Sequence, residues 1–306
     1  MPRGARVVDA PMRLRSRDML IVHLPYPEPF DWPGILRFLA ARLASGVESV
    51  EGEVYARTLR RGEDRGWLRL RPAAEPGHLE LAFSASFAES EESVCPAIAR
   101  LFDLGADMGH IGAQLGRDPA LAPLVQKNPG MRLVSAFDPF ELALRAILSQ
   151  QISVKAASTF YARLAQRFGK RFSCENASLR SVFPTPGELA ASSPADIAAI
   201  GLSRARAQTI QRFAIAVAEG KLNLDATREL DTLLAELQAL PGVGPWTAHY
   251  IAMRGLGMPD AFPSGDLGLQ RAMGGLSAAA LTKRAERWRP WRAYAAIHLW
   301  NQLGGG

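Results

Sequence analysis

The sequence predicts an α+β protein, with an antiparallel sheet in its N-terminal third and a mainly α-helical remainder. Before about residue 90, apolar residues alternate or gather in short β-branched runs separated by turn residues. Beyond that point they recur at helical spacing, and run after run opens on a capping residue. At 306 residues the chain is long enough for two or three compact units with substantial cores.

The strand-like runs are 19–24, 49–59, 67–70 and 79–83, with turn-like stretches at 61–66 and 73–77 and one amphipathic helix at 32–43. Later helices announce their starts. Asp138-Pro139-Phe140-Glu141, Thr185-Pro186-Gly187-Glu188 and Ser193-Pro194-Ala195-Asp196 each place a cap, a proline in the first turn and an acid three residues on. Gly220, Gly255 and Gly275 are the expected stops. The organisation expected is a basic flexible tail at 1–18, an α+β domain at 19–104 and a helical part at 105–306 in two subdomains.

A formal charge of +6, from 36 Lys+Arg against 30 Asp+Glu, favours an anionic partner. Two distant cysteines, Cys95 and Cys174, form no CxxC pair, which argues against a disulfide framework, a zinc site and an iron–sulfur cluster, and fits a reducing cytosol. Neither a signal-peptide pattern nor a run of membrane-spanning length occurs. A monomer is expected, since no coiled-coil heptads appear.

The most informative stretch is Leu240-Pro241-Gly242-Val243-Gly244-Pro245-Trp246-Thr247-Ala248, followed by Pro263-Ser264-Gly265-Asp266. A helix that stops at a Pro-Gly-x-Gly turn and restarts at once leaves backbone N–H groups pointing outward, a ready grip for a nucleic-acid phosphate. Gly242 and Gly244 permit close approach, and Thr247 offers a hydroxyl. Read blandly, the turn links two packed helices at 230–237 and 245–254. Asp266 taken alone is a helix N-cap. Placed beside a gripped DNA backbone, its carboxylate would stabilise a sugar cation by roughly 4 kcal/mol at an effective dielectric near 20, on the order of a thousandfold in rate.

Trp246 and Tyr250 stand four apart on one helix, and Trp300 lies in a late one. Large aromatics usually belong to cores. Beside a carboxylate they also suit a positively charged alkylated purine, since a cation over tryptophan gains about 0.5 to 2 kcal/mol. His249 and His298 are read as packed residues rather than as general acids.

Dispersed runs then identify a family. Phe30-Asp31-Trp32, Val54-Tyr55-Ala56-Arg57, Arg100-Leu101-Phe102-Asp103-Leu104, Arg145-Ala146-Ile147-Leu148, Phe183-Pro184-Thr185-Pro186, the hairpin, and Glu286-Arg287-Trp288-Arg289-Pro290-Trp291-Arg292 resemble bacterial DNA-3-methyladenine glycosylase II. This is the alkylbase glycosylase family of the helix-hairpin-helix superfamily. The resemblance covers nearly all of the chain from about residue 20.

It implies an N-terminal mixed domain followed by two helical subdomains with a cleft between them, and a helix-hairpin-helix at about 229–256. It also implies a monofunctional enzyme that flips 3-methyladenine, 7-methylguanine and similar bases from duplex DNA and hydrolyses the glycosidic bond. Superfamily members that also cut the strand carry a lysine where Trp246 stands. By the same resemblance Asp266 is the catalytic carboxylate, Trp246, Tyr250, Trp300 and Phe38 line the base pocket, and Gly242, Gly244 and Thr247 contact DNA.

The hairpins of this superfamily often hold a monovalent cation on backbone carbonyls, with no catalytic metal. The implied setting is the cytoplasm, on the nucleoid. Two positions depart from the family pattern. Gln151 falls where an apolar residue usually wedges into the gap left by the flipped nucleotide, so opposite-base preference would differ. Leu267-Gly268 replaces larger side chains and predicts a roomier pocket floor. Two other readings stand beside this one: a glycosylase for deaminated or oxidised bases, and a non-catalytic hairpin protein that recognises damaged DNA.

Overall fold

The computed structural model describes residues 13–15 as backbone and residues 18–303 in full. Residues 1–12, most of the expected basic tail, lie outside the described residues. Within that expected tail, Arg13–Arg15 form an edge strand paired with Leu20, Ile21 and Val22, because the alternating backbone there meets an open sheet edge.

Six antiparallel strands make the N-terminal sheet: β1 (Arg13–Arg15), β2 (Met19–Pro25), β3 (Glu48–Glu51), β4 (Val54–Arg61), β5 (Asp64–Pro72) and β6 (His78–Ser84), in the order 1-2-6-5-4-3. The expected strand over 49–59 is two strands. Gly52, at φ 59°, supplies the left-handed backbone of a two-residue hairpin turn that pairs Glu51 with Val54. Gly62, also at φ 59°, repeats this between Arg61 and Asp64, so the turn expected over 61–66 shrinks to two residues.

One face of the sheet and the helix Trp32–Ala40 bury a cluster from Leu20 to Leu104, closed by Val134. Asp31 caps that helix by accepting the Gly34 N–H at 2.9 Å. A second, larger cluster gathers the helices beyond residue 107, and Ala44 and Val47 of the N-terminal part belong to it.

The expected caps operate as written in the sequence. Asp138 accepts the Phe140 N–H, Thr185 and Glu188 form a full capping box, and Ser193 accepts the Asp196 N–H. The expected stop at Gly255 is displaced. The helix Pro245–Tyr250 widens into a π-helical turn over Ile251–Gly255, and the left-handed residue that follows is Gly257, at φ 68°.

The two cores are fastened by a buried ion pair. Arg57 of β4 donates to both carboxylate oxygens of Glu141 at 2.8 and 2.7 Å, and Tyr161 donates to Oε2 at 3.0 Å. The Arg57 and Glu141 side chains are 4% and 12% exposed. Glu141 lies in the first turn of the helix Pro139–Ser149, so the sheet fixes the helix whose far end reaches the hairpin.

Candidate active site

Asp266 is both an N-cap and the centre of a donor cluster. Its Oδ1 accepts the Leu269 N–H at 3.0 Å and the Trp300 indole N–H at 2.9 Å, and its Oδ2 accepts the Trp246 indole N–H at 3.0 Å. The capping bond accounts for one of these contacts; the two indoles come from helices 20 and 34 residues away in sequence. Three donors and no acceptor around a half-buried carboxyl suit its ionised form. The loop that carries it is tied down by Asp266 N–H to Pro263 O, Gln270 Nε2 to Ser264 O and Thr282 Oγ1 to Ser264 Oγ.

The aromatic residues named from sequence assemble here. Trp246 and Tyr250 stack with centroids 5.0 Å apart and planes 20° from parallel, and Trp300 tilts toward Tyr250 at 6.2 Å. Gly268 shows why a small residue follows Asp266. A methyl there would stand 2.9 Å from Asp266 Oδ1 and 3.4 Å from Trp300 Cδ1. The space expected as a roomier floor is thus taken at this point by the Trp300 indole, while Leu267 points outward, 65% exposed.

Phe38, of the helix Trp32–Ala40, is the fourth residue expected to line the pocket. It shares a cavity of about 310 Å³ with Trp300, but the Arg42 guanidinium lies 3.9 Å from its ring centroid and that of Arg254 lies 4.3 Å from it. Two guanidiniums this close cannot share one ring face, so both faces are covered.

At the hairpin, Gly242 takes φ 93°, and a methyl there would run into Thr209 Oγ1. Gly244 is exposed, has φ −87°, and has nothing within 4 Å of where a methyl would be, so no contact inside the chain requires glycine there. Thr247 is corrected from the expected phosphate contact. It is 2% exposed, and its hydroxyl accepts Gln150 Nε2 at 2.9 Å. The same amide donates to Gly242 O at 2.9 Å, making Gln150 a brace between the hairpin and the end of the helix Pro139–Ser149. Sequence reading passed over Gln150, although its place just past a helix end was a usable signal.

Gln151, the next residue, is exposed and held at φ 59°. Among the hairpin carbonyls, Leu240 O accepts Val243 N–H and Gly242 O accepts Gln150, leaving each a lone pair for a cation. Among the described residues no group of three His, Cys, Asp or Glu could hold a metal, and no helix is long and apolar enough to cross a membrane.

The histidines are buried bases. His249 Nδ1 accepts the Phe262 N–H at 3.2 Å, and burial together with the Arg292 charge lowers its pKa to about 4; burial alone does the same for His298. Both are neutral at pH 7. An unfolded histidine takes its proton near pH 6.5, so each contributes stability that is complete above that pH and lost as pH falls toward 4. Asp103 acts oppositely, since burial raises its carboxyl to about 6 and the fold gains from its protonation. Urea unfolding of His298→Gln against the parent should therefore improve in the variant's favour by about 2 kcal/mol between pH 7 and pH 4.5. A constant difference would mean that His298 is not buried as a neutral base.

Comparison with known proteins places this geometry. Residues 21–138 match the AlkA N-terminal domain, and residues 144–289 match the HhH-GPD superfamily base excision DNA repair protein. A probable bifunctional transcriptional activator/DNA repair enzyme AlkA of Mycobacterium tuberculosis is 41% identical over 94% of this chain and 58% of its own length. The chain therefore spans little more than half of that relative. DNA-3-methyladenine glycosylase 2 of Escherichia coli is 36% identical over 92% of this chain and 97% of its own.

In fold, a 3-methyladenine DNA-glycosylase from Archaeoglobus fulgidus superposes with a TM-score of 0.80 at 21% identity, covering 92% of this chain and 98% of that one. The 8-oxoguanine glycosylase/lyase of Clostridium acetobutylicum in complex with dsDNA does so at 0.74 and 20%, covering 97% and 98%. The matches in sequence span both the sheet and the helical core, and on them the chain belongs to the DNA-3-methyladenine glycosylase 2 (AlkA) family.

Proposed function

We propose that the chain is a monofunctional DNA glycosylase that flips an alkylated base from duplex DNA and hydrolyses its N-glycosidic bond, leaving an abasic site for base excision repair. The observation that carries this reading is the carboxylate of Asp266 held by the Trp246 and Trp300 indoles at one end of an aromatic cluster. As the bond lengthens, positive charge grows on the sugar, and the carboxylate faces it at no cost in reorganisation, because three donors already hold it in place. The same oxygens orient the attacking water. Trp246 offers no amine to attack C1′, so the strand stays intact.

The hairpin presents the backbone N–H groups of Gly244 and Trp246, at the start of the helix Pro245–Tyr250, to a phosphate, and Gln151 fills the gap left by the flipped nucleotide. A monovalent cation on the hairpin carbonyls would add positive charge there and take no part in bond cleavage. The enzyme works as a monomer, on the nucleoid in the cytoplasm.

The test is to incubate methylated duplex DNA with the protein, separate free bases, and examine the strands with and without alkali. Free 3-methyladenine, with breaks only after alkali, is the expected result. Release confined to hypoxanthine or 8-oxoguanine duplexes would move the activity to deaminated or oxidised bases. Binding without release of any base would leave a damage-recognition protein. Gly244→Ala should leave stability within about 1 kcal/mol yet weaken duplex binding roughly tenfold, by removing room for one phosphate contact. Affinity should also fall steeply with salt as counterions are released. A flat salt response would remove the hairpin from phosphate binding.

A further inference from the structure

The turn that carries Gln151 is wound against the preference of its own residues. Ser149 to Ile152 closes on a hydrogen bond from the Ile152 N–H to Ser149 O at 3.4 Å, with Gln150 at φ −57° and ψ 121° and Gln151 at φ 59°. Those angles belong to a type II turn, whose third position suits glycine or asparagine. Turning over the peptide between Gln150 and Gln151 would give a type I turn, in which both residues take an ordinary negative φ. Among the described residues only Asp103 and Gln151 hold a positive φ without being glycine. A glutamine keeps that backbone only where its surroundings impose it.

The surroundings are the helix Arg204–Ala218 and the hairpin. Arg206 of that helix, half-buried, donates from Nη2 to Gln150 O at 2.6 Å. This carbonyl belongs to the very peptide whose direction separates the two turn types. The Gln150 side chain is tied to the hairpin through Gly242 O and Thr247 Oγ1. Three residues beyond Arg206, on the same helix face, Thr209 stands against the hairpin, where a methyl on Gly242 would lie 2.1 Å from its Oγ1. Turn, hairpin and helix form a closed triangle, and Arg206 contributes the side that sets the sense of the turn.

We infer that Arg206 is a positioning residue for base extrusion: it holds the Gln150–Gln151 peptide in the type II sense and so aims the Gln151 side chain before DNA binds. The inference rests on the glycosylase reading, in which Gln151 fills the gap left by the flipped nucleotide. The turn is close to the chemistry, since Gln150 touches Thr247, the neighbour of Trp246, whose indole holds Asp266. A side chain already fixed in direction loses less freedom on entering the base stack, which favours the extruded state. Bond cleavage needs that state, so the observed rate is the chemical rate multiplied by the extruded fraction. Arg206 acts on the fraction, through Gln151.

The experiment measures single-turnover release of 7-methylguanine from two duplexes, one with cytosine opposite the lesion and one with a tetrahydrofuran abasic analogue opposite it. In the first, extrusion breaks a base pair and the extruded fraction is small; in the second no pair is broken and the fraction is far larger. Arg206→Met is expected to slow release roughly tenfold from the first duplex and by no more than about twofold from the second, for the loss of one charge-assisted hydrogen bond. In a Gln151→Asn background, where the residue itself tolerates the left-handed backbone, the same substitution should cost about threefold or less with cytosine opposite. Equal losses from both duplexes, an undiminished loss in the Gln151→Asn background, or an unchanged rate would each overturn the inference, because Arg206 would then serve DNA binding or the fold rather than the turn. A parent that releases 7-methylguanine from neither duplex would instead overturn the glycosylase reading itself.

Discussion

Asp266→Asn is expected to slow base release from methylated duplex DNA by on the order of a thousandfold while leaving duplex affinity nearly unchanged. The substitution preserves volume and removes a unit charge. At an effective dielectric near 20 and a separation of about 4 Å from the sugar cation, that charge contributes roughly 4 kcal/mol to the transition state. It contributes little to ground-state binding, because the cation exists only as the bond breaks.

Asparagine also disturbs the donor cluster. Its oxygen can accept one indole, but its amide nitrogen then faces the other as donor against donor. Trp246→Phe and Trp300→Phe separate these effects, since each keeps the carboxylate and removes one charge-assisted hydrogen bond, with an expected loss of roughly ten- to hundredfold. Single-turnover rates and fluorescence anisotropy on the same duplex decide the matter. Equal rates for parent and Asp266→Asn would take Asp266 out of the chemistry and leave it a helix cap.

Glu141→Gln is expected to destabilise the fold by about 3–5 kcal/mol, a large share of the stability of an ordinary domain. It removes the ion-pair partner of the Arg57 guanidinium, which is 4% exposed and keeps only the more distant carboxylates of Glu48 and Asp138. The glutamine amide can still accept the Tyr161 hydroxyl, so the loss reports mainly on charge. Replacing both partners, Arg57→Met with Glu141→Leu, should recover much of the loss, because an unpaired buried charge costs more than an apolar pair of similar size. Urea unfolding of the two single variants and the double variant forms the cycle that measures the coupling. Additive losses would mean that the two side chains do not depend on one another. The pair also joins the sheet to the helix that ends beside Gln150, so Glu141→Gln should loosen the hairpin's brace and weaken duplex binding at temperatures where the protein is still folded.

Much of this molecule is written locally. Caps at Asp138, Thr185 and Ser193 are chemistry between residues two or three apart, and each acts as its sequence says. The Gly52 turn was missed because an isolated glycine inside a run of strand-forming residues looks the same in a hairpin as in a bulge, and only the pairing partner decides. The assembly of Trp246, Tyr250, Trp300 and Asp266 followed from the family resemblance. Spacing alone brings together only Trp246 and Tyr250, four residues apart on one helix.

A further local signal was present and went unread. Arg254 lies four residues beyond Tyr250, and Arg42 four beyond Phe38, so each shares a helix face with an aromatic of the cluster. The sequence by itself determined the α+β division, the helix starts and the hairpin, because these depend on periodicity, capping and short motifs. Only the tertiary structure decided that Thr247 points inward to Gln150, that Trp300 fills the space beside Gly268, and that two guanidiniums cover Phe38. Those outcomes depend on contacts between residues up to about 215 positions apart in the chain, and such contacts follow from how two cores pack, which no local pattern encodes.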